Sequence, residues 1–302
     1  MTVRLKKALY GLKASRKLWY AELHQALVDV GYTRSVIDKC LYFRHDGTVD
    51  GTKVTYALVY IDDILLIGND AEFRATTIRH ITDSFVSISR QPVNDVVFLG
   101  MHIKKHPSGD ISIDQEAYVT DLLQEYKITT TSNKPCSVNI TNEHHVSDSL
   151  LADPTAYRSL NMQLLYLATR TRPDIMFPTT ILATRSKSPT IVDYERLLKI
   201  LQFLNGSKTD CLTFTARGKL QPRVFVDASF NLHWDAKGHT GFAIFPDSTS
   251  CAILVKSIKH KTIADSSTEA ERIALHESLK HISWIVDFYM ELGYDVRPVD
   301  IL

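Results

Sequence analysis

Apolar positions along the chain switch between two periods, and the switches divide it into elements. After Gly11, the residues Trp19, Leu23, Leu27 and Val30 recur at helical spacing and stop at Gly31, which predicts an amphipathic helix lying on a sheet. Segments 40–44, 54–60 and 64–67 are rich in β-branched and aromatic residues and read as strands, the last two joined tightly around Asp62 and Asp63. A helix is expected over 71–83. Stretches 96–104 and 111–113 read as a hairpin around Pro107, Ser108 and Gly109, followed by a helix over 115–125.

Residues 129–149 are polar, rich in Thr, Ser and Asn and without an apolar period, so they read as a linker or long loop. Three helical stretches, 157–169, 174–185 and 192–204, are interrupted by Pro173 and Pro189 and suggest a small helical connector. Strands over 224–226, 241–245 and 252–257 then precede a long helix over 266–292, stopped by Gly293 with Pro298 beyond it. The expected class is α+β, in three parts: 1–128, 129–210 and 211–302.

At 302 residues and 44% hydrophobic content the chain can bury a real core and has room for roughly two domains. The formal net charge is +1, so nucleic-acid binding, if any, must be local. Arg4, Lys6, Lys7, Lys13, Arg16 and Lys17 form one basic cluster, and Lys256, Lys259, His260 and Lys261 another; taken alone, either reads as a solvated face before it reads as a binding patch. Cys40, Cys136, Cys211 and Cys251 have no paired spacing, which argues against a zinc site or disulfide framework and fits a reducing compartment. His144 and His145 read as part of an exposed loop. No apolar run is long enough to span a bilayer and the N-terminus lacks a signal-peptide core, so a soluble chain without a membrane partner is expected.

The most informative stretch is Tyr60-Ile61-Asp62-Asp63-Ile64-Leu65-Leu66-Ile67, with adjacent carboxylates between two apolar strands. Burying such a pair is costly without a compensating cation, and carboxylates at a hairpin tip suit divalent magnesium. Asp is also common in exposed turns, and the pair alone leaves both readings open. A second acidic set is Asp227, ending a strand, with Glu269 and Glu271 opening the last helix. Trp19 and Trp284 lie on apolar helical faces and read as core rather than as base-stacking platforms.

Tyr60-Ile61-Asp62-Asp63 resembles the catalytic hairpin of reverse transcriptases. Upstream, Leu5-Lys6-Lys7-Ala8-Leu9-Tyr10-Gly11-Leu12-Lys13 and Leu18-Trp19 closely resemble a segment of copia-type retrotransposon Pol polyproteins. Downstream, Phe98-Leu99-Gly100-Met101-His102-Ile103 is similar to the primer-grip hairpin of that family, and Thr171-Arg172-Pro173-Asp174-Ile175 to its connector. Val226-Asp227-Ala228-Ser229 and Ser266-Ser267-Thr268-Glu269-Ala270-Glu271 are similar to its RNase H part. The resemblance covers essentially the whole chain, in order. It implies a partial palm and thumb over 1–128, a helical connection over 129–210 and an RNase H-like mixed sheet over 211–302.

By the same resemblance, Asp62 and Asp63 would be catalytic metal ligands of a polymerase site, and Asp227 and Glu271 those of a ribonuclease site. Two Mg2+ or Mn2+ ions per site would drive phosphoryl transfer. Ala270-Glu271-Arg272-Ile273-Ala274 fits the family's metal-binding pattern and favours Glu271 over Glu269, whose acidic side chain in a first turn suits the helix dipole. Tyr60, Gly11, Lys13, Phe98, Leu99 and Gly100 would touch nucleic acid. The implied partners are an RNA template, a DNA primer, an RNA–DNA hybrid and dNTPs, in an intracellular setting: a cytoplasmic virus-like particle, and also the nucleus if the element is active.

The departures matter as well. The family's further palm aspartate precedes Leu5, and its third RNase H ligand would follow Leu302, with Asp300 too early for that role, so both metal sites are expected to be incomplete. Ala14-Ser15-Arg16-Lys17 replaces Gln-x-Pro-Arg, Met162 a glycine and Arg272 a tyrosine, and 87–95 lacks Lys-Asp-Leu-Gly. The alternative expectation is therefore a catalytically inactive relic that at most binds nucleic acid.

Overall fold

The computed structural model describes residues 9, 11–46, 53–85, 88–141, 149–215 and 219–302. The chain divides into two compact units, Met1–Gln91 with Val286–Asp295, and Pro92–Ile285 with Val296–Leu302.

In the first unit α1 (Ser15–Val30) runs into Gly31, whose φ of 110° lets its N–H reach the Leu27 and Val28 carbonyls. Strands β1 (Thr33–Arg34), β2 (Leu41–Asp46), β3 (Lys53–Tyr60) and β4 (Asp63–Gly68) pair antiparallel in sequence order. α2 (Ala71–Ser84) starts at Asp70, whose carboxylate accepts the Phe73 N–H at 3.0 Å. Alternation along β3 sends Thr55, Ala57 and Val59 to one face, where Ala57 and Val59 share a core with Leu23 and Leu27 of α1 and Ile81 of α2. Gly68, at φ 146°, ends β4 where a Cβ would lie 2.2 Å from the Val54 carbonyl oxygen, so no larger residue fits. In the same unit Glu291 accepts the Val36 N–H at 2.6 Å and the Ser35 hydroxyl at 2.5 Å.

The second unit holds two sheets and a helical layer. β5 (Asp95–Phe98), β6 (Met101–Lys105), β7 (Ile111–Asp114) and β8 (Leu212–Phe214) form one antiparallel sheet. The strand expected over 96–104 is thus two strands around a tight turn, with Leu99 at φ 53° and Gly100 at φ 71°, the left-handed pair that a two-residue hairpin needs.

Helices α3 (Glu116–Glu125), α4 (Pro154–Arg170), α5 (Met176–Ala183) and α6 (Ile191–Gly206) bury one apolar cluster that includes Val119, Leu122, Leu160, Leu164, Ile181, Leu197 and Leu201. Because α3 contributes to this cluster, residues 92–128 group with the second unit, not with the strands before them. The polar stretch expected as a linker is partly structured: Val138–Thr141 makes a 3-10 turn and Ile140 is buried in the same cluster. His144 and His145 lie outside the described residues.

The last sheet has the order β11 (Leu254–Lys259), β10 (His239–Phe245), β9 (Arg223–Ser229), β12 (Asp300–Ile301). The first three are antiparallel neighbours, whereas β12 runs parallel to β9. Between β11 and β12 lies α7 (Ser267–Glu291), which buries Ala270, Ala274, Ser278, Ile282 and Ile285 along one stripe. Residues 211–215 do not belong to this sheet; β8 extends β7. The architecture is α+β, as expected.

Candidate functional site

Register builds the first candidate site. Tyr60 on β3 faces Asp63 on β4, leaving Ile61 and Asp62 as the turn. Ile61 adopts φ 57°, a conformation that a β-branched side chain rarely takes. Such strain persists only where surrounding structure imposes it, and it clusters at functional sites. Asp62 and Asp63 are both exposed, and neither carboxylate makes a hydrogen bond or ion pair among the described residues. Two adjacent hard-oxygen donors, paired with no cationic side chain among the described residues, suit a divalent metal such as Mg2+. Tyr60 is 51% exposed, on the sheet face away from α1 and α2.

Trp19 reaches this turn from α1. Its indole Nε1–H donates to the Ile61 carbonyl oxygen at 2.9 Å, and its ring packs on Phe85 with centroids 4.7 Å apart. It is only half-buried, short of the core position that the helical spacing suggested, as is Trp284, which is exposed; nothing in the sequence announced the polar contact of Trp19. Nearby in the chain, Gly11 has φ 91°, and Gly11, Lys13, Arg16 and Lys17 are exposed. Arg4, Lys6 and Lys7 lie outside the described residues.

A second turn resembles the first in construction. Phe98 is buried, Leu99 and Gly100 make the turn, and the Tyr166 hydroxyl of α4 donates to the Leu99 carbonyl at 2.9 Å. A Cβ on Gly100 would meet that hydroxyl at 2.9 Å. Tyr118 of α3 meets Tyr166 edge to face at 5.3 Å, so the turn is held to the helical layer by side chains on two helices.

Around β9 the picture differs. Asp227 faces Gly241 of β10 and is exposed. Alternation puts it on the face with Phe225 and His239, lining an open cavity of about 570 Å³ together with Phe177 and Ser257. α7 covers the opposite face, where Phe242 meets His281 at 5.3 Å. Glu271 is exposed on α7, and neither a hydrogen bond nor an ion pair links it to Asp227 among the described residues. Glu269 accepts the Asp265 N–H at 2.6 Å while its own N–H donates to the Ser266 hydroxyl, a helix-capping exchange that accounts for an acidic residue at that position. No group of three or more His, Cys, Asp or Glu positioned to hold a metal occurs among the described residues.

The second basic cluster is not one solvated face. Lys259 pairs with Asp235 at 2.9 Å and His260 is buried, its Nε2 at 2.8 Å from the Thr240 hydroxyl. His233 and His239, also buried, share a hydrogen bond at 3.0 Å, and His239 continues to the Ser257 hydroxyl at 2.6 Å.

Burial, reinforced by Lys259, pushes His233 down to about 4; burial, reinforced by His233, does the same to His239. A histidine whose folded pKa lies below its unfolded value near 6.5 favours the native state fully above that value. The advantage is lost as pH falls toward 4. The first proton taken up by the pair is expected to cost about 3 kcal/mol. Urea midpoints measured between pH 7 and pH 4 check this: His239→Gln, which cannot titrate but keeps a polar group near Ser257, should flatten the decline.

No helix among the described residues is long and apolar enough to cross a membrane. A family model described as reverse transcriptase (RNA-dependent DNA polymerase) matches residues 1–142. The retrovirus-related Pol polyprotein from transposon RE1 of Arabidopsis thaliana is 31% identical over 298 residues, 96% of this chain and 19% of that protein. That from transposon TNT 1-94 of Nicotiana tabacum is 28% identical over 306 residues, 97% of this chain and 22% of its own length. An uncharacterized mitochondrial protein of Arabidopsis thaliana is 30% identical over 231 residues, 76% of this chain and 93% of that protein. The chain spans about a fifth of the length of the Pol relatives it matches. The hairpin with its paired aspartates falls inside the matched reverse transcriptase region and the Pol likeness runs nearly end to end, so the chain belongs to the copia-type retrotransposon Pol family.

Proposed function

We propose that this chain acts as part of an RNA-directed DNA polymerase, with Asp62 and Asp63 presented by the β3–β4 turn as ligands for catalytic Mg2+ or Mn2+. The observation that carries this reading is the turn itself: two exposed carboxylates with no side-chain partner among the described residues, at the tip of a hairpin with a buried apolar face, next to a strained Ile61. The pair fits hard divalent ions. When bound, they supply electrostatic stabilisation to the attacking and leaving oxygens of phosphoryl transfer. Tyr60 beside the pair and Lys13 with Gly11 ahead of α1 are assigned to the nucleic-acid strands. The turn Phe98-Leu99-Gly100 is assigned to the primer. In this reading residues 1–128 supply palm and thumb elements and 129–210 the connection. The substrates are an RNA template, a DNA primer and dNTPs, inside the cell in a virus-like particle or the nucleus.

The region 211–302 is assigned to an RNase H-like domain acting on RNA–DNA hybrid. Its support is the strand order, in which three antiparallel strands are followed by a long helix and a fourth strand parallel to the first. Asp227 and Glu271 are its candidate ligands. The separation of Asp227 from the face that α7 covers favours a second reading for this part, in which it binds hybrid without cleaving it.

The test is RNA-templated primer extension and hybrid cleavage by the chain with Mg2+ or Mn2+. Turnover above that of an Asp62→Asn, Asp227→Asn double variant supports the polymerase reading and excludes the inactive one. Salt-sensitive hybrid binding with no turnover supports the second, and absence of both binding and turnover sinks the assignment.

A further inference from the structure

Among the described residues of the first unit, the apex of the β3–β4 turn is the one non-glycine position at positive φ. Ile61 is β-branched, 58% exposed, and held at φ 57°. An exposed isoleucine gains nothing from packing at that position, so some other contact must select the conformation. One long-range hydrogen bond does reach it, from the Trp19 indole to the Ile61 carbonyl at 2.9 Å. The donor is itself fixed, because its ring lies on Phe85 at the end of α2 and its backbone is inside α1.

The Ile61 carbonyl belongs to the peptide that carries the Asp62 N–H. Fixing that oxygen fixes the peptide plane and with it the direction in which the Asp62 side chain leaves the turn. The same device recurs in the second unit: Leu99 at φ 53° has its carbonyl held at 2.9 Å by the Tyr166 hydroxyl. In both turns a bulky residue sits in the left-handed region, and an aromatic donor from a helix holds its oxygen.

We infer that Trp19 is a positioning residue for the paired aspartates: its indole N–H pins the Ile61 carbonyl so that Asp62 and Asp63 are presented in one orientation. This rests on the reading of the pair as a metal site only in its consequence, since the pinning exists without metal. Trp19 touches neither aspartate by any hydrogen bond, so its effect runs through the backbone.

The full chain, labelled at the backbone and indole nitrogens, provides the test by NMR. Trp19→Phe keeps a ring on Phe85 and removes only the donor. The amide resonances of Asp62 and Asp63 should shift and broaden while that of Asp70, in the same unit, stays in place. Unchanged Asp62 and Asp63 amides overturn the inference, as does broadening spread over the whole unit, which indicates a merely structural role. A measurement on the unaltered chain guards against a variant that fails to fold. The Trp19 indole proton should exchange with solvent more slowly than that of Trp234, which is 64% exposed; equal rates overturn the inference.

Water-proton relaxation with Mn2+ reads the consequence. Affinity at the pair, identified by its loss in Asp62→Asn, should fall about five- to tenfold in Trp19→Phe, the factor for one lost hydrogen bond. If the unaltered chain shows no Mn2+ site at the pair, the metal reading fails, while the amide shifts still decide the role of Trp19.

Discussion

Replacing Asp62 with Asn is expected to reduce RNA-templated primer extension about a thousandfold, and Asp63→Asn comparably, when this segment acts within a complete Pol polyprotein. The magnitude follows from electrostatics. A bound divalent ion contributes several kcal/mol of transition-state stabilisation, and about 4 kcal/mol corresponds to about three decades in rate. Asn keeps the volume and one oxygen but removes the negative charge that holds the ion. Both side chains are exposed and bond to no other described group, so the loss should come without loss of stability, with thermal unfolding within about 0.5 kcal/mol of the parent.

Asp70 provides the contrast. It is 6% exposed, caps α2 through the Phe73 N–H, and lies 3.9 Å from Arg44 and 3.8 Å from Lys53. Asp70→Asn should lower stability and leave the rate per folded molecule close to that of the parent. Equal activity of Asp62→Asn and the parent would remove the pair from the chemistry. A drop in activity matched by a drop in stability would reassign it to folding.

What was readable in the sequence is what local pattern controls. α1 and the β3–β4 hairpin followed from apolar spacing around Leu23, Leu27, Ala57 and Val59, because those residues face a shared core. Local pattern read through the turn at Leu99, since a leucine at φ 53° carries none of the usual turn chemistry and Gly100 alone is ambiguous, and only the resemblance to a primer-grip hairpin pointed to it. The stretch 129–141 looked like a linker because one buried residue, Ile140, anchors it, and one residue makes no period. β8 was not read as a strand, and its residues were grouped with the last part of the chain, because its pairing with β7 joins residues about a hundred positions apart, which hydrophobic pattern cannot register. The spacing of the buried histidines carries no signal. His233 and His239 meet only because the connection from β9 to β10 brings them together. Trp19 was correctly placed on a helix face, but its bond to Ile61 spans 42 positions and depends on a turn geometry that composition does not encode.

The largest expected stability effect lies away from the aspartate pairs, at Asp193, which is fully buried at the start of α6. Thr190 caps that helix, accepting the Asp193 N–H at 3.2 Å, while the Asp193 carboxylate accepts the Thr190 N–H at 3.1 Å and its hydroxyl at 3.0 Å. The same carboxylate meets Arg185 at 2.5 Å and Arg196 at 3.1 Å. Arg185, 8% exposed at its side chain, also donates to the Ile140 carbonyl at 2.6 Å. One buried carboxylate thus ties α6, the chain after α5 and the segment around Ile140 into a single network. Asp193→Ala should cost about 3–5 kcal/mol, because it leaves the buried Arg185 charge without that carboxylate and removes half of the cap. Asp193→Asn should cost less, as it can still accept a hydrogen bond at the cap. Arg196→Gln, whose side chain is 22% exposed, should lose less than about 1 kcal/mol. Urea unfolding of the three variants measures the order. If Arg196→Gln costs as much as Asp193→Ala, the stability resides in the helix-surface pair rather than in the buried network, and the docking of Ile140 must have another cause.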